Sequence, residues 1–190
     1  MFAPPIQAVM DRVDDLRNHV NDHWQIPRQQ AWVMSQILRI GRCRSVCEIG
    51  VSYGYSTLHW AAVMKETGGH VYAVEIAEKK VNAATQHLTE AGLINFVTLH
   101  PGDARQICKS IAPKEPFDFI FIDATKEQSI DYFNALRDKL ADRCIIAADN
   151  TGDLADQMKP YVDFIRAFAG DKTCAVPIAH GFELTILDRR

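Results

Sequence analysis

Short apolar runs alternate with longer amphipathic stretches along most of this chain. The runs are SVCEIG (45–50), HVYAVE (70–75), NFVTLH (95–100), FDFIFID (117–123) and CIIAAD (144–149). Each holds few polar interruptions, the pattern of strands buried on both faces of a parallel sheet. Between them, helical patterns cover Ser56–Lys65, Glu78–Ala91, Ala104–Ile111, Ser129–Leu140 and Leu154–Ala169. The stretch up to Ile40 also reads as helical. Pro27 is placed to open a helix with apolar positions at Ala31, Met34, Ile37 and Leu38. The tail adds two strand patterns, TCAVPI and FELTILD. Strand–helix alternation of this kind predicts an α/β domain with a mostly parallel sheet and right-handed crossovers. One domain is expected over residues 1–190, with N-terminal helices over 1–40 and the sheet core over 44–190.

Composition narrows the classes. The 190 residues carry a formal net charge of −3, so no overall basic field gathers nucleic acid, and DNA is not an expected partner. No apolar run approaches the roughly 18 residues that span a bilayer, and the first residues do not read as a signal peptide. Five cysteines, Cys43, Cys47, Cys108, Cys144 and Cys174, form no CxxC pair and read as reduced and mostly buried, which suits the cytoplasm. His19 and His23 stand four apart with Asp22 between them and read as a solvated helix face. Trp24 and Trp32 read as packing residues near a pocket entrance. Tyr53 and Tyr55 are expected closer to a ligand.

Acids close the predicted strands: Glu48, Glu75, Asp103 after a short turn, Asp123, and Asp149 followed by Asn150. Ligands of open parallel sheets bind beyond the carboxyl ends of the strands. Buried strands have no room for unpaired carboxylates, so strand tips are where such acids meet a ligand, a cation or water. Helix capping by Asp123 or Asp149 is the alternative reading. The first turn, Gly50-Val51-Ser52-Tyr53-Gly54, is neither a dinucleotide fingerprint nor a P-loop. With Glu75 about 20 residues further on, it suggests a nucleoside cofactor without a diphosphate. Asp123, Asp149 and Asn150 lie at the tips of consecutive strands and offer oxygen alone. That set suits Mg²⁺, with Mn²⁺ or Ca²⁺ also accommodated. Lys126 follows Asp123 by three residues. A dication beside a lysine favours its neutral form, which makes Lys126 a candidate general base.

Taken together, Glu48-Ile49-Gly50…Gly54-Tyr55-Ser56, Val74-Glu75-Ile76, Gly102-Asp103-Ala104, Phe121-Ile122-Asp123-Ala124-Thr125-Lys126 and Asp149-Asn150 resemble the motif series of the class I methyltransferases. Within that class the resemblance is to the metal-dependent catechol and caffeoyl-CoA O-methyltransferases. It runs from about Arg44 to Asn150, with a weaker echo at His180–Leu184. It implies a Rossmann-like seven-stranded sheet with helices on both faces, S-adenosylmethionine as cofactor, and a homodimer. Glu48, Gly50 and Ser56 would hold the methionine end, Glu75 and Ile76 the ribose end, and Asp103 and Ala104 the adenine. Asp123 would serve both cofactor and metal, Asp149 and Asn150 the metal, and Lys126 the proton transfer. The chain departs from the family after Asn150, where Thr151-Gly152-Asp153-Leu154 leads quickly into a helical pattern. The acceptor expected is a small catechol or vicinal diol. A hydroxylated uridine of tRNA and a non-enzymatic cofactor-binding role are the alternatives.

Overall fold

The computed structural model describes residues 2–188. Seven strands form one sheet: β1 (Ser45–Ile49), β2 (His70–Glu75), β3 (Val97–Pro101), β4 (Phe117–Ile122), β5 (Leu140–Asp149), β6 (Thr173–Val176) and β7 (Phe182–Asp188). Their order is β3-β2-β1-β4-β5-β7-β6. The first five run parallel, while β7 lies antiparallel between β5 and β6. Seven α-helices accompany them among the described residues: α1 (Pro4–Asp15), α2 (Arg28–Gly41), α3 (Tyr55–Thr67), α4 (Glu78–Glu90), α5 (Ala104–Ser110), α6 (Ser129–Leu136) and α7 (Ala155–Ala169). None is long and apolar enough to cross a membrane.

The sheet separates two apolar layers. One holds Met34, Leu58, Trp60 and Leu88 against Phe119, Phe121 and Ala147. The other holds Phe133, Leu136 and Tyr161 against Ile49, Ile120 and Ile122. All five residues of β1 are buried, including the polar Ser45 and Glu48, whose side chains are hydrogen-bonded. Each fully buried Phe or Leu contributes on the order of 1.5–3 kcal/mol relative to exposure. A register shift between Phe117 and Phe119 breaks the alternation of β4, so these two rings face opposite layers. There the Asp118 carboxylate accepts the backbone N–H groups of Arg44 and Ser45 at 2.7 and 3.0 Å, which tethers the entry to β1.

The predicted elements differ from the observed ones mainly at their ends. β5 starts at Leu140, not Cys144, through the polar stretch Ala141-Asp142-Arg143. α6 stops at Leu136 and passes through a 3₁₀ turn at Arg137–Lys139. Four cysteines are buried, but Cys174 is exposed on the edge strand β6 despite its apolar neighbours. His19 and His23 share no helix face: a 3₁₀ turn ends at Asn18, and His23 lies in the irregular stretch before α2. The His23 ring stacks on Tyr53, with centroids 4.9 Å apart.

Candidate functional site

Two cavities open beyond the carboxyl ends of the parallel strands, one of about 390 Å³ and one of about 520 Å³. They meet along Trp24, Gln25 and Asp123-Ala124-Thr125, which line both.

The smaller cavity is built around the turn after β1. Gly50 has φ +94°, and a Cβ there would overlap the carbonyl of Asp123. The turn therefore runs directly against the tip of β4, an approach only glycine permits. Ser52 is also left-handed at φ 49°, and its amide is directed at Glu75. Glu75 Oε2 accepts Val51 N–H at 3.1 Å and Ser52 N–H at 2.9 Å, and Oε1 accepts Ala77 N–H at 3.0 Å. Glu75 thus holds the turn in shape. A carboxylate has about four lone-pair positions, so capacity remains for hydroxyl donors.

Gly50, Ser56, Glu75, Ile76, Asp103, Ala104 and Asp123 all line this cavity. Glu48 does not, contrary to expectation. Its carboxylate is fully buried behind Ser56, where Oε1 accepts Ser56 Oγ at 2.5 Å and Trp60 Nε1 at 3.0 Å, and Oε2 accepts Thr57 Oγ1 at 2.6 Å. Burial pushes its pKa up to about 7 against those three donors. Glu48 therefore sets the start of α3 and does not touch the cavity. Ile76 is 73% exposed, an apolar platform on the cavity wall. Asp103 caps α5, accepting Arg105 N–H at 2.8 Å, and pairs with the Arg105 guanidinium. Neither Asp123 nor Asp149 caps the helix that follows it.

Asp123, Lys126, Asp149 and Asn150 line the larger cavity. Lys126 Nζ donates to Asp123 Oδ1 at 2.8 Å, with both side chains largely enclosed. Asp149 is buried at the end of β5, and burial, reinforced by the nearby Asp123 carboxylate, raises its pKa. Asn150 adopts φ 65° and donates Nδ2 to both carboxylate oxygens of Asp153 at 3.1 and 3.2 Å, leaving its own Oδ1 outside those bonds. Among the described residues no three His, Cys, Asp or Glu side chains gather as a metal cluster. A cation here would be held by two carboxylates and the Asn150 amide oxygen. A buried carboxylate, Asp149, facing the half-buried Asp123 carboxylate, with an all-oxygen donor set, fits a hard divalent ion.

Two features stand outside the motif series. Trp24, 76% exposed, stands where the cavities meet. The loop that carries it is fixed to the turn after β1, because Tyr53 Oη donates to Asp22 Oδ1 at 2.8 Å beside the His23 stack. Tyr53 and Tyr55 are themselves buried and line neither cavity. Gln30, on α2, donates its side-chain amide to Asp149 Oδ1. Its only sequence signal is a polar residue beside an apolar helical stripe.

Residues 47–151, more than half of the chain, match the methyltransferase domain family. The chain is 35% identical over 112 residues to O-methyltransferase ankF of Aspergillus thermomutatus, a stretch covering 58% of this chain and 46% of that protein. It is 24% identical to caffeoyl-CoA O-methyltransferase 1 of Arabidopsis thaliana, over 80% of this chain and 66% of the relative. The chain thus spans less than two thirds of the length of either. Among solved structures, an O-methyltransferase from Bacillus cereus in complex with SAH superposes with a TM-score of 0.81, covering 98% of this chain and 91% of that one at 23% identity. The O-methyltransferase TomG from Streptomyces achromogenes, in complex with SAM, gives 0.80 over 95% and 89% at 20% identity. The matched span contains every strand tip of the two cavities, and by fold and family model alike the chain belongs to the class I S-adenosylmethionine-dependent methyltransferases.

Proposed function

We propose that this chain is a divalent-metal-dependent O-methyltransferase. It moves the methyl group of S-adenosylmethionine to a hydroxyl of a small catechol-like or vicinal-diol acceptor. One observation carries the reading: Asp123 lies on both cavities, so a group bound in one is adjacent to a group bound in the other. The relatives named O-methyltransferases support oxygen as the atom methylated.

The smaller cavity takes the cofactor. Glu75 receives the ribose hydroxyls, and the Gly50 turn with Ser56 encloses the methionine end. Ile76 and Ala104 flank the adenine, with Asp103 at its edge. Asp123, Asp149 and the Asn150 amide hold the cation, Mg²⁺ by donor type. When bound, such an ion acts as a Lewis acid toward the acceptor oxygens. Lys126 Nζ, at the wall of the same cavity, takes the hydroxyl proton. Trp24 and Gln25 line the junction between the two cavities. The chain's largest contribution is orientation of the two reactants, worth up to about 7–11 kcal/mol for a well-aligned pair.

A methyl-transfer screen of catechols, hydroxycinnamates and hydroxylated against unmodified tRNA, each with Mg²⁺ or with a chelator, tests this. Turnover of a small diol is expected with Mg²⁺ and none with the chelator. Asp149→Ala is expected to lose about 100-fold or more in turnover while binding S-adenosylhomocysteine within about threefold of wild type. Full activity of Asp149→Ala in the presence of a chelator overturns the metal role.

A further inference from the structure

The buried face of α2 carries an amide where packing alone calls for a hydrocarbon. Its other buried positions, Ala31, Met34, Ser35 and Leu38, follow the helical repeat, and Ser35 satisfies itself on the Ala31 carbonyl at 2.8 Å. Gln30 shares this face at 0% exposure. Its Nε2 donates to Asp149 Oδ1, and its Oε1 is buried with no hydrogen-bond partner in the protein. An unsatisfied buried polar atom has given up its bonds to water with nothing in return, at a cost to stability. A methionine of the same length would avoid that cost. The residue is therefore poorly explained as packing and well explained by what its N–H group holds.

Gln30 does not line the larger cavity, whereas Asp149 does. The amide therefore reaches the carboxylate from behind, through its Oδ1. From this geometry we infer that Gln30 is a positioning residue for the acceptor end of the site: it fixes the Asp149 carboxylate so that Oδ2 is presented to a divalent cation. This rests on the metal reading proposed above. A carboxylate at a strand end rotates about its side-chain torsions, and a donor on one oxygen removes that freedom and selects which lone pairs face outward. Outer partners of this kind orient metal ligands and typically govern affinity by 10–100-fold. Gln30 lies 119 residues before Asp149, so α2 is part of the cation site although it contributes no ligand.

The test replaces Gln30 by methionine, which keeps length and volume and removes the donor. Mn²⁺ binding is titrated calorimetrically in the presence of S-adenosylhomocysteine. Gln30→Met is expected to bind Mn²⁺ about 10–100-fold more weakly, with S-adenosylhomocysteine affinity within about twofold of wild type. A purely structural role would lower the melting temperature and spare the Mn²⁺ constant. If wild type and Gln30→Met bind Mn²⁺ equally, the positioning role is wrong and the metal reading stands. If wild type binds no Mn²⁺, both fall. A measurement on the unaltered protein covers a variant that does not fold. The side-chain amide of Gln30, assigned by through-bond correlation to its backbone, is expected to shift on Mg²⁺ addition. No movement of that resonance overturns the inference.

Discussion

Burial and hydrogen bonding pull Glu48 in opposite directions, and burial wins. Its folded pKa is about 7, above the ordinary 4.5, although three donors favour the carboxylate. A raised carboxyl pKa stabilises the fold below the unfolded value and loses that contribution as pH rises through the folded one. His59 runs the other way: burial lowers it from 6.5 to about 3, so its contribution is present above 6.5 and lost as pH falls toward 3. The two windows overlap, so the total pH dependence of stability conceals both. Glu48→Gln removes one of them. Relative to wild type, the variant is expected to gain about 3 kcal/mol between about pH 5 and about pH 8 in urea denaturation. A constant difference across that range means that Glu48 titrates as an ordinary carboxyl. Residue by residue, the sequence located every strand-tip acid but did not reveal what each one faces. Glu48 sits at a tip like Glu75, yet Ser56, Thr57 and Trp60 close over it from the next helix. Only the way α3 folds back over β1 separates the two cases.

Among the elements, the irregular stretch between α1 and α2 reaches furthest into the site, since its Trp24 and Gln25 line both cavities. It does not continue α1, which ends at Asp15 and tightens into a 3₁₀ turn at Leu16–Asn18, after which His19 leaves helical dihedrals at φ −128°. For that reason the spacing of His19 and His23 carried no helical meaning. The stretch instead lies across the site, latched through Tyr53 to Asp22 and His23, and presents Trp24 over both cavities. Trp24→Ala removes the aromatic surface without touching the strand tips. Its acceptor KM is expected to rise about tenfold, with cofactor affinity changed less than about threefold, in steady-state kinetics. An unchanged acceptor KM separates Trp24 from recognition. Helix starts and stops were largely legible, because glycine and proline mark them. Gly54, Gly68 and Gly170 flank α3 and end α7, and Pro27 precedes α2. The start of β5 was not legible, since Ala141, Asp142 and Arg143 belong to the strand without carrying an apolar signal, and of the three Arg143 pairs with Asp188 of β7.

For the whole molecule, the two layers divide the thiols. Cys43, Cys47, Cys108 and Cys144 are buried against the sheet, and Cys174 alone is exposed, on the edge strand. A thiol reagent is expected to modify one cysteine in the native protein and the other four only after unfolding. Faster reaction of more than one means that a layer opens below the global unfolding free energy. The α/β class and the order of elements were readable because buried strands and amphipathic helices carry different periods. The position of β7 was not, since nothing in FELTILD records that it enters between β5 and β6.

Asp149 is where distant parts of the polypeptide converge. Gln30 holds its side chain from one direction, and Phe182 of β7 pairs with its backbone from the other. The turn after β1 and the Glu75 tip, by contrast, come from residues close in sequence. The smaller cavity is complete only once the turn after β1 meets Asp123 at the end of β4. During synthesis the Asp149 tip waits for residue 182 to emerge, so of the five parallel strand ends it is the last to gain its neighbour.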